Sequence, residues 1–294
     1  MHGIYRFYQN GELVGEAKNL LTTNGKTAIM KYLAGYSGHF GRSIRLGIGA
    51  TAAAVGDATM NFETAAIPVY LISPDYVNTA LVFKGRMDDA SAMVIYEAGL
   101  STAIPDSTAA NSSRLILGFD SNIDVWSAGV WTTTSRFGGD ALRLAPATST
   151  TVSANMQDVL MDLSGYSNAD EFRLAYNSNN ANTASVFVRL FTDASNYFTY
   201  TVASPGTGFQ IKTFNKSNFV ATGTPSWSNI TQATVSVTAG AGGSAQVDFE
   251  GLRIDDRDTF ADSDILVSRA VLGTPITKVP GLPLDIEYTL DLTL

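Results

Sequence analysis

Apolar and polar side chains alternate without a break along residues 284 to 292. Leu284, Ile286, Tyr288, Leu290 and Leu292 fall on one side of an extended chain, and Asp285, Glu287, Thr289 and Asp291 on the other. This period of two predicts a half-buried antiparallel strand. Residues 4 to 21 alternate more weakly around Asn10-Gly11, a pair that tolerates positive φ, and predict a two-stranded ribbon. Thr22-Thr23-Asn24-Gly25 then places capping side chains ahead of Ala28, Ile29, Tyr32 and Leu33, which share one helical face, with Gly35 as the stop. It is the one well-formed helix that the pattern predicts. Ile44, Leu46 and Ile48 alternate with Arg45, Gly47 and Gly49 as a strand, followed by a loop to Gly56-Asp57. Further short strands are predicted at 69–73, 81–87 and 93–100.

At Glu97-Ala98-Gly99-Leu100 the pattern breaks off into a Pro/Ser/Ala/Asn-rich linker over 101–113. Its natural continuation, Ile265-Leu266-Val267-Ser268-Arg269-Ala270-Val271-Leu272, follows a second linker at 257–264. Between the linkers, short strands are predicted at 115–119, 142–144, 159–163, 171–176, 185–191, 197–202, 209–213, 233–238 and 247–254. Turn residues separate them, which is the signature of a jelly-roll β-sandwich. The fold class read here is therefore mainly β: a small α+β host domain with one helix, residues 1–112 and 258–294, interrupted by an inserted jelly-roll β-sandwich, residues 113–257. Insertion succeeds at exposed loop tips, so the arrangement points to a display platform and not to a catalyst.

Composition narrows the function classes. With 294 residues the chain suits two domains, each able to bury its own core. The absence of cysteine removes disulfides, thiolate metal sites and Cys nucleophiles. Asp and Glu exceed Lys and Arg by 27 to 19, for a net charge of -8, and no segment is basic. Direct nucleic-acid binding, which needs clustered cations to displace counterions, is disfavoured. The N-terminus lacks a signal-peptide apolar core, and no run approaches the roughly 18 apolar residues of a membrane span, so a soluble chain without membrane insertion is expected.

The outer segments resemble a class of bacteriophage virion proteins of tails, baseplates and neck or head appendages. The residues that carry the resemblance are Leu21-Thr22-Thr23-Asn24-Gly25-Lys26, Ile44-Arg45-Leu46-Gly47-Ile48-Gly49-Ala50-Thr51, Tyr96-Glu97-Ala98-Gly99-Leu100, Ser268-Arg269-Ala270-Val271, Pro275-Ile276-Thr277-Lys278 and Leu284-Asp285-Ile286-Glu287-Tyr288. The resemblance implies a virion structural protein assembled in the host cytoplasm, with other virion proteins and further copies of itself as partners. The middle resembles a galactose-binding-like or carbohydrate-binding-module sandwich through Phe119-Asp120, residues 161–166, Val188-Arg189-Leu190-Phe191-Thr192-Asp193, Asn196-Tyr197-Phe198, Trp227 and residues 249–254. It implies a host-surface glycan as a ligand. Glu250 stands where such relatives often carry Asp.

Trp126, Trp131, Trp227, Tyr166, Tyr176, Tyr197 and Tyr200 are the rings available for stacking on the C–H face of a sugar, although aromatic side chains of a sandwich mostly fill its core. Trp126, Trp131, Tyr166 and Tyr197 are the candidate glycan-binding set. Asp120, Asp248 and Glu250, with Asp255 and Asp256 nearby, are the candidate oxygens for a structural calcium ion, against a plainer role as solvated strand-end carboxylates. No other cofactor is expected. Asp255-Asp256 and Asp88-Asp89 each point to opposite faces of a strand, which argues against a shared acid/base pair. His2 and His39 lack a neighbouring nucleophile motif. Gly35-Tyr36-Ser37-Gly38-His39 lacks the last glycine of a nucleophile elbow, and Gly47-Ile48-Gly49 lacks the third glycine of a dinucleotide loop. The expectation is a non-enzymatic virion protein that docks in a symmetric assembly and displays the sandwich. The alternatives are a capsid cement protein without ligand, or an accessory module of a carbohydrate-active enzyme.

Overall fold

The computed structural model describes residues 2–34, 40–87, 92–103, 114–119, 124–133, 136, 140–179, 181–255 and 264–292. The chain divides into two compact units, Met1–Ser112 with Arg257–Leu294, and Ser113–Asp256. The first unit begins with β1 (His2–Gln9), β2 (Glu12–Lys18), β3 (Leu20–Leu21) and α1 (Thr23–Leu33). It continues with β4 (Ser43–Gly47), β5 (Glu63–Asp75), β6 (Ala80–Met87) and β7 (Met93–Ala103). The second unit holds β8 (Arg114–Leu117), β9 (Val130–Thr133), β10 (Asp140–Leu144), β11 (Thr151–Met161), β12 (Glu171–Ser178) and β13 (Thr183–Asp193). It also holds β14 (Asn196–Ala203), β15 (Gly208–Asn215), β16 (Val220–Thr222), β17 (Ile230–Ala239) and β18 (Val247–Asp255). The chain then returns to the first unit as β19 (Asp264–Lys278) and β20 (Leu284–Asp291).

The first unit is one sheet in the order β2-β1-β20-β6-β5-β4-β7-β19-β3. Asn10 and Gly11, both at positive φ, turn β1 into β2. The alternation of β20 is realised with Leu284, Ile286, Tyr288 and Leu290 buried. The strand on either side of the interruption is continuous in the ladder: β7 and β19 are antiparallel, with Ala98 opposite Ala270 and Gly99 opposite Arg269. The Thr22 hydroxyl caps α1 by accepting from the Gly25 N–H at 2.8 Å, and donates to the Leu266 carbonyl at 2.6 Å. Gly25 is needed there, because a Cβ would overlap the Val267 carbonyl.

Glu97 and Arg269, 172 positions apart in sequence, form a fully buried pair at 2.7 Å. The carboxylate also accepts from the N–H groups of Gly49, Asn61 and Phe62. The guanidinium donates to Asp57 and to the carbonyls of Thr51 and Ala52. This pair therefore fixes the loop from residue 48 to 62, whose backbone polar groups have few ladder partners. A Cβ at Gly47 or Gly49 would stand 2.6 Å from the Glu97 oxygen, so glycine lets the backbone reach the carboxylate. Tyr5 stacks on Tyr288 with centroids 4.4 Å apart, and its hydroxyl bonds Ser268 at 2.7 Å.

The second unit is a two-sheet sandwich, with β15-β12-β18-β10-β9 in one sheet, β8 pairing beside β18, and β11-β17-β13-β14-β16 in the other. All pairs are antiparallel. The core comes from the period-two inner faces, including Val186, Val188 and Leu190 of β13 and Val235 and Val237 of β17. The sequence pattern placed β11 at 159–163, whereas the strand runs from Thr151 and ends there; a bulge, with Asp158 and Leu160 at positive φ, separates Gln157 from Met161. Residues 151–157 alternate Thr, Ser, Asn and Gln with Val, Ala and Met, so the period-two signal of this strand is present in the sequence although no strand was predicted there. Strands β9 and β16 were missed as well, being only 4 and 3 residues long. Gly35 to His39, Asp88, Asp89 and the second linker up to Ser263 lie outside the described residues.

Candidate functional site

The rings singled out by residue type separate cleanly once the strands are in place. Tyr166 is 5% exposed and belongs to the sandwich core, where its carbonyl and that of Leu163 accept from the Lys216 ammonium. Burial pushes the pKa of that lysine down. Trp126 stacks on Phe119 at 5.0 Å, and Trp126 and Trp131 both pack against the core. Trp227 lies flat on Phe198 at 3.8 Å, Tyr200 on Phe214 at 3.6 Å, and Tyr176 donates to the Pro205 carbonyl from inside the core. Tyr197 differs. Residues 198, 200 and 202 of β14 face inward, so Tyr197, Thr199 and Thr201 stand on the outer face.

The candidate calcium carboxylates are engaged by cations and N–H groups. Both oxygens of Asp248 accept from Arg143, at 2.7 and 2.9 Å, and one of them also from Asn179. Glu250 accepts from the Arg136 N–H, and Asp255 pairs with Arg253 and Arg173. Among the described residues no three His, Asp or Glu side chains gather as a metal site. Asp120 and Asp256 lie outside the described residues. His2 pairs with Asp291 at 3.1 Å on the first unit's sheet.

The outer face of the β11-β17-β13-β14-β16 sheet forms an ordered lattice. One cross-strand row runs Asn155, Thr234, Arg189, Thr199 and Val220, a second Gln157, Gln232, Phe191, Tyr197 and Thr222, and a third Ser153, Ser236, Phe187 and Thr201. The Arg189 guanidinium lies between two rings, 4.6 Å from the centre of Phe187 and 5.1 Å from that of Tyr197. Phe191 packs beside Tyr197 at 4.9 Å. Thr234 donates to Asn155 at 2.6 Å and Ser236 to Ser153 at 2.7 Å, so the hydroxyls are held in place by their neighbours across the strands. At the centre, Arg189 Nε and Thr199 Oγ1 are buried without a hydrogen-bond partner. Two orphaned polar atoms on directly paired residues are costly to the fold.

The hairpin that carries Tyr197 is stiff. Asp193 accepts from the N–H groups of Ser195 and Asn196 and from the Asn196 amide, and these bonds hold its carboxyl below the usual range. Asn196 in turn accepts from the Thr224 N–H at 2.7 Å, tying the β13–β14 turn to the segment after β16. Phe187, Arg189 and Phe191 were not among the sequence candidates. Their signal was present in Ser185-Val186-Phe187-Val188-Arg189-Leu190-Phe191, where Val, Val and Leu claim the core by alternation and the remaining positions are left to the outside.

No protein-family model and no curated protein matches the chain. Solved structures are similar over about half of it. The family 11 carbohydrate-binding module of cellulase Lic26A-Cel5E from Clostridium thermocellum is 12% identical, with a TM-score of 0.39 over 50% of this chain and 96% of that one. The carbohydrate-binding module CBM6cm-2 of Cellvibrio mixtus lichenase 5A, in complex with cellotriose, is 12% identical, with a TM-score of 0.28 over 48% and 98%. PfGH50B is 8% identical at a TM-score of 0.36 over 51% of this chain, and the match spans only 24% of that protein's length.

Proposed function

We propose that the chain is a non-enzymatic carbohydrate-binding protein. The sandwich holds a polysaccharide on the open face of its five-stranded sheet, and the first unit attaches it to a larger assembly. One observation carries this reading: aromatic rings and fixed, uncharged hydrogen-bonding side chains share a single outward sheet face, part-exposed at Phe187, Phe191 and Tyr197 and buried at Thr234 and Ser236. Sugars present apolar C–H faces and a rim of hydroxyls, so a ring such as Tyr197 takes the first and Thr, Ser, Asn and Gln take the second. Neighbouring strands lie about 4.8 Å apart, which makes the five-stranded face roughly 19 Å wide and suited to an oligomer more than to one ring.

The assembly we favour is a bacteriophage particle, with other virion proteins and further copies of the chain as partners and a host-surface glycan as the ligand. The support is the resemblance of the first unit's segments to virion proteins. Weak single-site contacts then gain strength by repetition. An accessory module of a carbohydrate-active enzyme would use the same face, and cofractionation with intact particles separates the two settings.

The test is binding of the full chain to a panel of soluble polysaccharides by titration calorimetry, with no release of reducing ends. Tyr197→Ala is expected to weaken binding about tenfold, or 1.4 kcal/mol, with little change in melting temperature. Binding to none of the polysaccharides, or binding that Tyr197→Ala leaves unchanged, overturns the reading.

A further inference from the structure

We propose that the sheet face selects an anionic sugar, a uronate carboxylate or a sulfate ester, through Arg189; this rests on the glycan-binding reading above. In the three cross-strand rows around it Arg189 is the one charged side chain, and the carboxylates of these strands stand at their ends, Asp158 in the β11 bulge and Asp193 in the β13–β14 turn. In a chain of net charge -8, three rows with one arginine and no acidic side chain are a local reversal of the general balance.

The guanidinium makes ring contacts only. Phe187 and Tyr197 hold it at 4.6 and 5.1 Å, while its Nε is buried without an acceptor. Asp193, on the same strand, is committed to the hairpin turn through Ser195 and Asn196. Arginine offers five N–H donors in a rigid fork that matches the two oxygens of a carboxylate or sulfate, and flanking rings hold that fork in place before the ligand arrives. A neutral sugar hydroxyl satisfies one such donor at a time. Oxyanion recognition satisfies two donors of the fork at once, through the terminal nitrogens and not the buried Nε.

The experiment compares the same polymer with and without its charge: polygalacturonate against its methyl ester, and a sulfated galactan against the desulfated galactan, each titrated into the full-length protein. At least one charged polymer is expected to bind ten times or more tighter than its uncharged form. That preference should shrink as salt is raised and collapse towards one in Arg189→Gln. Arg189→Lys, which keeps the charge but not the fork, should retain only part of it. Thermal unfolding of both variants checks that they fold, and the wild-type comparison stands without them. Equal affinity for charged and uncharged forms overturns the proposal while leaving glycan binding intact. Equal capture of inorganic sulfate alone shows an oxyanion site without sugar selectivity and overturns it too. No binding to any of the four polymers overturns this proposal, while the glycan-binding reading stands or falls by the wider polysaccharide panel.

Discussion

Single residues in this protein divide into those that hold the fold and those that the fold holds out. Glu97 and Arg269 are of the first kind: both are buried, and between them they collect three backbone N–H groups, two carbonyls and Asp57. Removing one partner leaves the other charged in a dry interior, so Arg269→Gln should cost about 3–5 kcal/mol in denaturant unfolding. The double change Glu97→Gln with Arg269→Gln should recover part of that loss. An unaltered midpoint in the single variant would show the pair to be ornamental. Arg189 is of the second kind, surrounded by rings and lacking any acid. The two arginines look alike in the sequence, yet only the topology puts Glu97 within 2.7 Å of one and leaves the other without an acid.

At the scale of elements, regular alternation was the reliable signal. The β20 strand, the β1–β2 turn at Asn10-Gly11 and the capped helix α1 could all be read before the structure, since each carries its own local chemistry. The first half of strand β11 alternates as regularly, Thr, Ser, Asn and Gln against Val, Ala and Met, but its inner residues are small or flexible and the bulge at Asp158 to Leu160 breaks the period before the more apolar end. Choosing glycan candidates by ring type favoured Trp126, Trp131 and Tyr166, which pack on or within the core, because residue type does not say which way a ring faces. Strand parity does, and it places Tyr197 with Phe187 and Arg189. The docking of α1 gives an element-scale prediction. Gly25→Ala improves intrinsic helix propensity yet drives a methyl into the Val267 carbonyl, so it should destabilise the protein by about 1–3 kcal/mol. Gly56→Ala, with nothing within 4 Å, should be close to neutral, and equal effects of the two would contradict the tight approach of helix and strand.

Across the whole molecule, the buried phenols set the alkaline limit. Burial raises Tyr5 and Tyr288 well above the usual value of 10.0, and carries Tyr176 in the sandwich to about 12. Below pH 10 both folded and unfolded chains keep these protons, and the full stability is present. As pH rises from 10 towards the folded values the unfolded chain ionises first, so stability falls through that window. Phenolate absorbance followed together with circular dichroism should show these tyrosines titrating only as structure is lost. Smooth titration of every tyrosine near pH 10 in a still-folded protein would contradict their burial.

The sandwich begins and ends on paired strands, Arg114 of β8 standing opposite Ile254 of β18, and the strands of the first unit that flank it are paired likewise, Thr102 opposite Ile265. Entry and exit points side by side on both parts mean that recombination can exchange one cargo for another without disturbing a single rung of the carrier's ladder. A lineage built this way can trade whole inserted modules while the sheet of the first unit stays intact.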